Sequence, residues 1–83
     1  MSYEAEFGIV LRKLRIEKNY SQVELAKASQ VDRTFISLIE RGIRQPSFTT
    51  IVHFAEALKM RPSELVAAVE DQMRRNRWSR LKR

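Results

Sequence analysis

Three polar residues stand on the predicted outer side of a short helix: Arg33, Thr34 and Ser37. Ile36 and Ile39 are three residues apart, a helical spacing that marks the opposite, buried side. An arginine can donate two hydrogen bonds to O6 and N7 of guanine, and a threonine can bond a base or touch a thymine methyl group. The chemistry that this pattern allows is recognition of DNA base edges; the alternative is an ordinary solvated helix face.

The segment from residue 21 to residue 42 predicts the two helices that would position these side chains. Ser21 and Glu24 form the S-x-x-E pattern of a capping box, which starts the first of them. Asp32 can cap the second, and Gly42 follows its last apolar residue, where a left-handed residue most easily ends a helix. A turn of only about three residues makes the helices cross steeply, so the segment predicts a helix-turn-helix whose second helix can enter the major groove.

Three further helices are predicted around this pair, over residues 4–18, over residues 48–58 and from residue 62 onward. The chain is therefore expected to be all-α, with five helices in one domain. The predicted apolar positions are Phe7, Val10, Leu11 and Leu14 in the first helix, Val23, Leu25, Ala26 and Ala28 in the second, Ile51, Phe54, Ala55 and Leu58 in the fourth, and Leu65, Val66, Val69 and Met73 in the fifth.

Composition narrows the classes of function. The 83 residues include no cysteine and one histidine, so neither a disulfide nor a zinc site is expected. No nucleophile and base stand at a meaningful spacing and no glycine-rich phosphate loop is present, which predicts a binding protein without a cofactor rather than an enzyme. The sequence has no apolar run of membrane-spanning length and no signal peptide, so we expect no membrane association and a cytoplasmic location.

The positive charge is concentrated at the end of the chain. The net charge is +6 and the isoelectric point is about 10.3, which suggests a polyanionic partner. Six of the 16 basic residues and none of the ten acidic ones lie in residues 74–83, so residues 1–73 are neutral overall. We predict a domain over residues 1–73. The basic segment that follows would contact DNA phosphates, extend the last helix and hold a dimer together, or form a solvated chain end.

Five motifs in this order make the chain resemble the phage repressor and Cro-type helix-turn-helix regulators over about residues 7–66. They are R-K-L-R at 12–15, S-Q-x-E-L-A at 21–26, D-R-T-F-I-S at 32–37, I-E-R-G at 39–42 and P-S at 46–47. Within that family the chain is most similar to small stand-alone regulators, including the controller proteins of restriction–modification systems.

The resemblance implies roles for individual residues. Arg33, Thr34 and Ser37 match the base-reading places, and Gln22 matches a glutamine that bonds a phosphate and braces the first reading residue. The residues expected around the loop beside the DNA backbone are Arg41, Arg44, Gln45, Ser47 and Thr50, with Arg44 favoured over Arg41 as a phosphate ligand. Phe35 has two open alternatives, which are packing on a thymine methyl or sugar and packing inward.

Two other positions match or depart from the family pattern. Arg15 and Glu40 match a structural pair that joins the first helix to the end of the third. Gln30 stands at a left-handed turn position where the family usually has glycine, so either the turn tolerates strain of roughly 1 kcal/mol or it opens slightly.

The expected function is that of a sequence-specific DNA-binding transcriptional regulator. A single recognition helix covers too few base pairs, so a homodimer on a pseudo-palindromic operator is expected. Its interface is predicted on the fifth helix, at Leu65, Val66, Val69 and Met73. Contact with RNA polymerase is a further partner that the resemblance allows. The alternative is a protein-interaction module, antitoxin-like or adaptor, that keeps the fold and docks through the basic segment.

Overall fold

Five helices joined by short turns make up the protein in a computed structural model, which describes residues 3–81 and the side chains of residues 3–76. They are α1 (Tyr3–Glu17), α2 (Gln22–Ser29), α3 (Arg33–Glu40), α4 (Phe48–Ala57) and α5 (Pro62–Leu81). No strand occurs in the described residues, and the predicted all-α, five-helix fold is confirmed.

Side-chain caps fix where the central helices begin, as the sequence predicts. The Ser21 hydroxyl accepts from the Glu24 N–H at 3.0 Å while the Glu24 carboxylate accepts from the Ser21 N–H at 2.8 Å. The bond from the Ser21 N–H, followed by a smaller effect of the Ser21 hydroxyl on the carboxylate, lowers the pKa of Glu24 because it stabilises the charged form. Asp32 accepts from the Thr34 N–H at 3.0 Å and so starts α3, the helix that carries the predicted reading face.

Left-handed residues end the helices, and most of these residues are not glycine. Asn19, Gln30 and Lys59 have φ of 60°, 62° and 61°, and Gly42 has φ of 76°. The Gln30 N–H donates to the Ala26 carbonyl at 2.8 Å, which closes the last turn of α2. The helix-turn-helix therefore keeps its left-handed turn without glycine, so Gln30 adopts the strained conformation and the turn does not open.

All five helices contribute to one hydrophobic core. Its fully buried side chains include Leu11, Leu25, Ile36, Ile39, Phe54 and Leu65. The rings of Phe7 and Phe54 lie 6.4 Å apart between centroids, which ties α1 to α4. Two predicted apolar positions of α2 are wrong: Val23 is 46% exposed and Ala28 is also exposed. Only Leu25 and Ser29, one turn apart, are buried on this eight-residue helix, so a narrow strip faces the core.

The backbones of α1 and α3 touch at a glycine. A Cβ atom on Gly8 would lie 2.3 Å from the carbonyl oxygen of Ile39 and 2.8 Å from that of Glu40. Since both oxygens belong to rigid helical backbone, no other residue fits there without separating the helices. This contact sets the distance between α1 and the C-terminal turn of α3.

The last helix continues without interruption past the predicted boundary at Met73, so the backbone of residues 74–81 extends α5. Asn76 Nδ2 donates to Glu6 Oε1 at 2.5 Å, which holds α5 against the start of α1. Glu6 is only 1% exposed, and its other carboxylate oxygen has no hydrogen-bond partner within the described residues. None of the described helices is both long and apolar enough to cross a membrane.

Candidate nucleic-acid interface

The outward side of α3 carries four polar side chains on one surface. Arg33, Thr34 and Arg41 are exposed and Ser37 is partly exposed. Ile36 and Ile39 are completely buried and hold the opposite side of the helix in the core. The structure therefore brings together the three residues predicted to read bases, with Arg41 at the C-cap of the same helix. In chain order, the residues of this polar face of α3 are Arg33, Thr34, Ser37 and Arg41.

Phe35 lies beside this surface and turns inward. Its side chain packs against the core cluster and is only partly exposed. Of the two alternatives that the sequence left open, inward packing is the one observed. The aromatic ring thus contributes to the packing of α3 against the rest of the domain.

A buried network joins α1, α2 and α3 at the C-terminal end of α3. Arg15 Nε donates to Glu40 Oε2 at 2.7 Å and Arg15 Nη2 donates to Glu40 Oε1 at 3.0 Å. The side chains are 11% and 3% exposed, and Arg15 also donates to the Tyr20 carbonyl at 2.8 Å. This bidentate pair confirms the structural role implied for Arg15 and Glu40.

Gln22 belongs to the same network, which sequence reasoning did not foresee. Its Nε2 donates to Glu40 Oε1 at 3.1 Å, and within the described residues it makes no bond to Arg33. This bond uses one amide N–H and leaves the amide oxygen, the atom that could accept from Arg33, so the bracing role implied for Gln22 stays a prediction. The partly buried amide lies between the start of α2 and the end of α3.

The loop between α3 and α4 presents exposed polar side chains at Arg44 and Gln45. Ser47 caps α4: its hydroxyl accepts from the Thr50 N–H at 3.2 Å and lies 3.0 Å from the Thr50 hydroxyl. These two hydroxyls, predicted near the DNA backbone, thus already serve the helix cap.

Three arginines on this side of the molecule have no acidic partner. Among the described residues, Arg33, Arg41 and Arg44 form no ion pair and no side-chain hydrogen bond, although Arg15 does. Their guanidinium groups are therefore available to an anionic ligand such as a phosphate or a guanine edge. Within the described residues, no group of three or more His, Cys, Asp or Glu side chains lies close enough together to hold a metal ion.

One apolar residue of α3 was not assigned by sequence analysis. Leu38 is partly exposed and lies outside the set of side chains that pack against the core. Its carbonyl accepts from the Ile43 N–H at 2.9 Å and the Ile39 carbonyl accepts from the Gly42 N–H at 3.0 Å, which is a Schellman turn. Leu38 follows Thr34 by four residues, which is about one helical turn. This spacing was the signal in the sequence that could have placed Leu38 beside the predicted reading face.

The predicted interface residues on α5 divide between the core and the surface. Leu65 is completely buried in this chain's own core and offers nothing to a partner, which corrects its assignment. Val66 is 50% exposed, Val69 packs against the edge of the core, and Met73 is partly buried. An open apolar groove of about 170 Å³ is lined by Tyr3, Phe7, Gln45, Pro46, Ile51, Val66 and Val69.

Comparison with known proteins shows which family has this arrangement of helices. The family model described as "Helix-turn-helix" matches residues 11–65. The control protein C.BamHI of Bacillus amyloliquefaciens is 41% identical over 61 residues, which are 72% of this chain and 75% of that protein. The chain spans 63% of a second relative, the uncharacterized HTH-type transcriptional regulator YqaF of Bacillus subtilis (strain 168), at 42% identity over 48 residues, or 58% of this chain.

Solved structures share the fold. The restriction-modification controller protein C.AhdI from Aeromonas hydrophila has a TM-score of 0.72 at 42% identity, over 75% of this chain and 94% of that one. The controller protein C.Esp1396I, as a tetramer in complex with its natural 35 base-pair operator, has a TM-score of 0.79 at 26% identity, over 87% of this chain and 95% of that one. These matches confirm the resemblance read from the motifs, and the chain belongs to the helix-turn-helix family that includes the restriction-modification controller proteins.

Proposed function

We propose that the protein is a sequence-specific DNA-binding transcriptional regulator that acts as a homodimer on a pseudo-palindromic operator, with α3 in the major groove. The observation that carries this proposal is the outward face of α3, where Arg33, Thr34 and Ser37 are open to a ligand while Ile36 and Ile39 are fixed in the core. The operator complex of the relative C.Esp1396I supports it.

The proposed contacts divide by chemistry. Arg33, Thr34 and Ser37 would reach base edges, which specify sequence. Phosphate contacts, which set register, are assigned to the exposed Arg41, Arg44 and Gln45, to the Gln22 side chain and to the start of α4 at Ser47 and Thr50. Phe35 is left out of the base contacts because it packs on the core.

The length of α3 is the reason for proposing a dimer. Its eight residues give a helix about 12 Å long, which spans roughly four base pairs. Two copies related by a two-fold axis would read two half-sites about one helical turn apart. The apolar groove beside Val66 and Val69 is the surface that we assign to the second copy.

The basic segment, residues 74–83, accounts for the whole net charge of +6. The backbone of α5 is helical to Leu81, so residues 74–81 extend a helix rather than form a separate unit. We assign their positive charge to DNA phosphates, where it would steepen the salt dependence of binding. We also propose the cytoplasmic location predicted from the sequence, with which DNA binding is consistent.

The first test is the variant Arg33→Ala. Losing one bidentate guanine contact should weaken specific binding by about 1–3 kcal/mol per half-site, because that contact carries base discrimination. A gel shift with the DNA upstream of the protein's own gene measures the effect. Arg12→Ala is the matched control, since it removes the same charge from the exposed side of α1 and should change affinity little. Binding by Arg33→Ala within twofold of the parent would contradict the proposal, and no shift by the parent would favour the protein-interaction alternative.

The second test addresses the dimer through Val66→Asp. A carboxylate on a surface that is apolar and half exposed should be tolerated by the monomer but not by a dry interface, so the variant should sediment as a monomer and bind the operator poorly. Val23→Asp is the control, because Val23 is 46% exposed on a different helix and should leave the mass unchanged. A parent protein that sediments as a monomer at high micromolar concentration would rule out the homodimer.

A further inference from the structure

Leu38 has no role in the core that would account for an apolar side chain at its position. It is the one leucine of α3, partly exposed, and it does not belong to the side chains packed against the buried cluster. Ile43, the residue that a Schellman turn commonly brings against this position, is itself 58% exposed. The end of α3 therefore presents an apolar edge to solvent.

Helical geometry puts Leu38 on the reading side of α3. Each residue turns the helix by about 100°, so Leu38 lies roughly 40° from Thr34 and about 130° from the mean direction of the buried residues Ile36 and Ile39. It is also about 6 Å further along the axis than Thr34, a distance close to two base-pair steps. A helix that offers Thr34 to one base pair thus offers Leu38 to a base pair about two steps away.

The chemistry of the groove restricts what a leucine can recognise there. The side chain has no hydrogen-bonding group, and the one apolar group on the major-groove edges of the four bases is the C5 methyl of thymine. We propose that Leu38 is a specificity-determining residue whose ligand is this methyl group, so that the protein requires a thymine at one position of each half-site. The inference rests on the proposed function and names a base that α3 selects.

Uracil substitution tests this contact because it removes the methyl group and leaves every hydrogen-bonding group of the base in place. Duplexes selected by the parent protein from a random-sequence library would be resynthesised with uracil at each thymine in turn. At one thymine in each half-site, uracil should lower the affinity of the parent about fourfold, the factor that corresponds to one methyl group no longer buried. Leu38→Ala should bind the thymine and uracil duplexes equally, whereas the control Ile43→Ala should keep the parent's difference.

A second variant keeps the test valid if Leu38→Ala folds poorly. Leu38→Gln keeps a long side chain and can bond N6 and N7 of adenine, so its preference at that position should move from thymine to adenine. The proposal is overturned if no thymine in the selected duplexes is sensitive to uracil, or if Leu38→Ala retains the parent's loss. Failure of the parent to select any sequence would overturn the proposed function as well, so the two failures are distinguishable.

Discussion

Replacing Gly8 with alanine is expected to lower the free energy of unfolding by about 3 kcal/mol. Alanine ordinarily favours a helix over glycine by about 1 kcal/mol, so the expected change has the opposite sign to intrinsic propensity. The reason is that the new methyl would lie 2.3 Å from the Ile39 carbonyl oxygen, and overpacking against rigid backbone commonly costs about 1–3 kcal/mol and sometimes more. Urea denaturation followed by circular dichroism would measure the difference.

Lys13→Ala is a suitable control for this variant, since Lys13 is exposed on the same helix and its replacement should change stability by less than about 0.5 kcal/mol. A Gly8→Ala protein that is as stable as the parent, or more stable, would mean that α1 and α3 do not approach as closely as the structure has them. Because the contact is with the last turn of α3, the same variant should also weaken operator binding.

The variant Arg15→Met should have a free energy of unfolding about 3–5 kcal/mol lower than that of the parent, with both proteins measured at the same concentration. The methionine keeps much of the apolar stem of arginine but leaves the Glu40 carboxylate, 3% exposed, without a cation. The double variant Arg15→Met, Glu40→Met should recover most of this loss, because the uncompensated charge is then gone.

The exposed pair Glu70 and Arg74 is the matched control for the buried one. Their charged atoms lie 3.5 Å apart and the side chains are 61% and 71% exposed, so Arg74→Met should change stability by less than about 1 kcal/mol. Equal losses from Arg15→Met and Arg74→Met would show that burial of the Arg15–Glu40 pair is not what makes it important.

The parts of the fold that sequence predicted well are those governed by local rules. Ser21 and Asp32 identified two helix starts, because a capping side chain needs only the backbone of its own next three residues. The buried positions Ile36 and Ile39 followed from helical spacing within one element, and their opposite side became the candidate reading face.

Features that depend on distant parts of the chain could not be obtained in this way. The Gln22–Glu40 bond joins residues 18 apart in sequence, and the Gly8 contact depends on the angle between α1 and α3. On α5, the sequence pattern does not say which valine or leucine faces α4, so Leu65 and Val66 were grouped although one is buried and the other half exposed. The candidate site is therefore predictable as a face of α3, and the family resemblance gave the Arg15–Glu40 pair behind it, whereas the Gln22 bond to Glu40 was not predicted.

Gln30 has a consequence for binding that concerns entropy. A non-glycine residue in the left-handed region, here at φ 62°, occupies a much narrower energy well than glycine does. Since Gln30 lies in the turn between α2 and α3, this narrow well restricts rocking of α3 against α2. If α3 enters the major groove as proposed, less conformational freedom is lost on binding, and this preorganisation offsets the strain at Gln30.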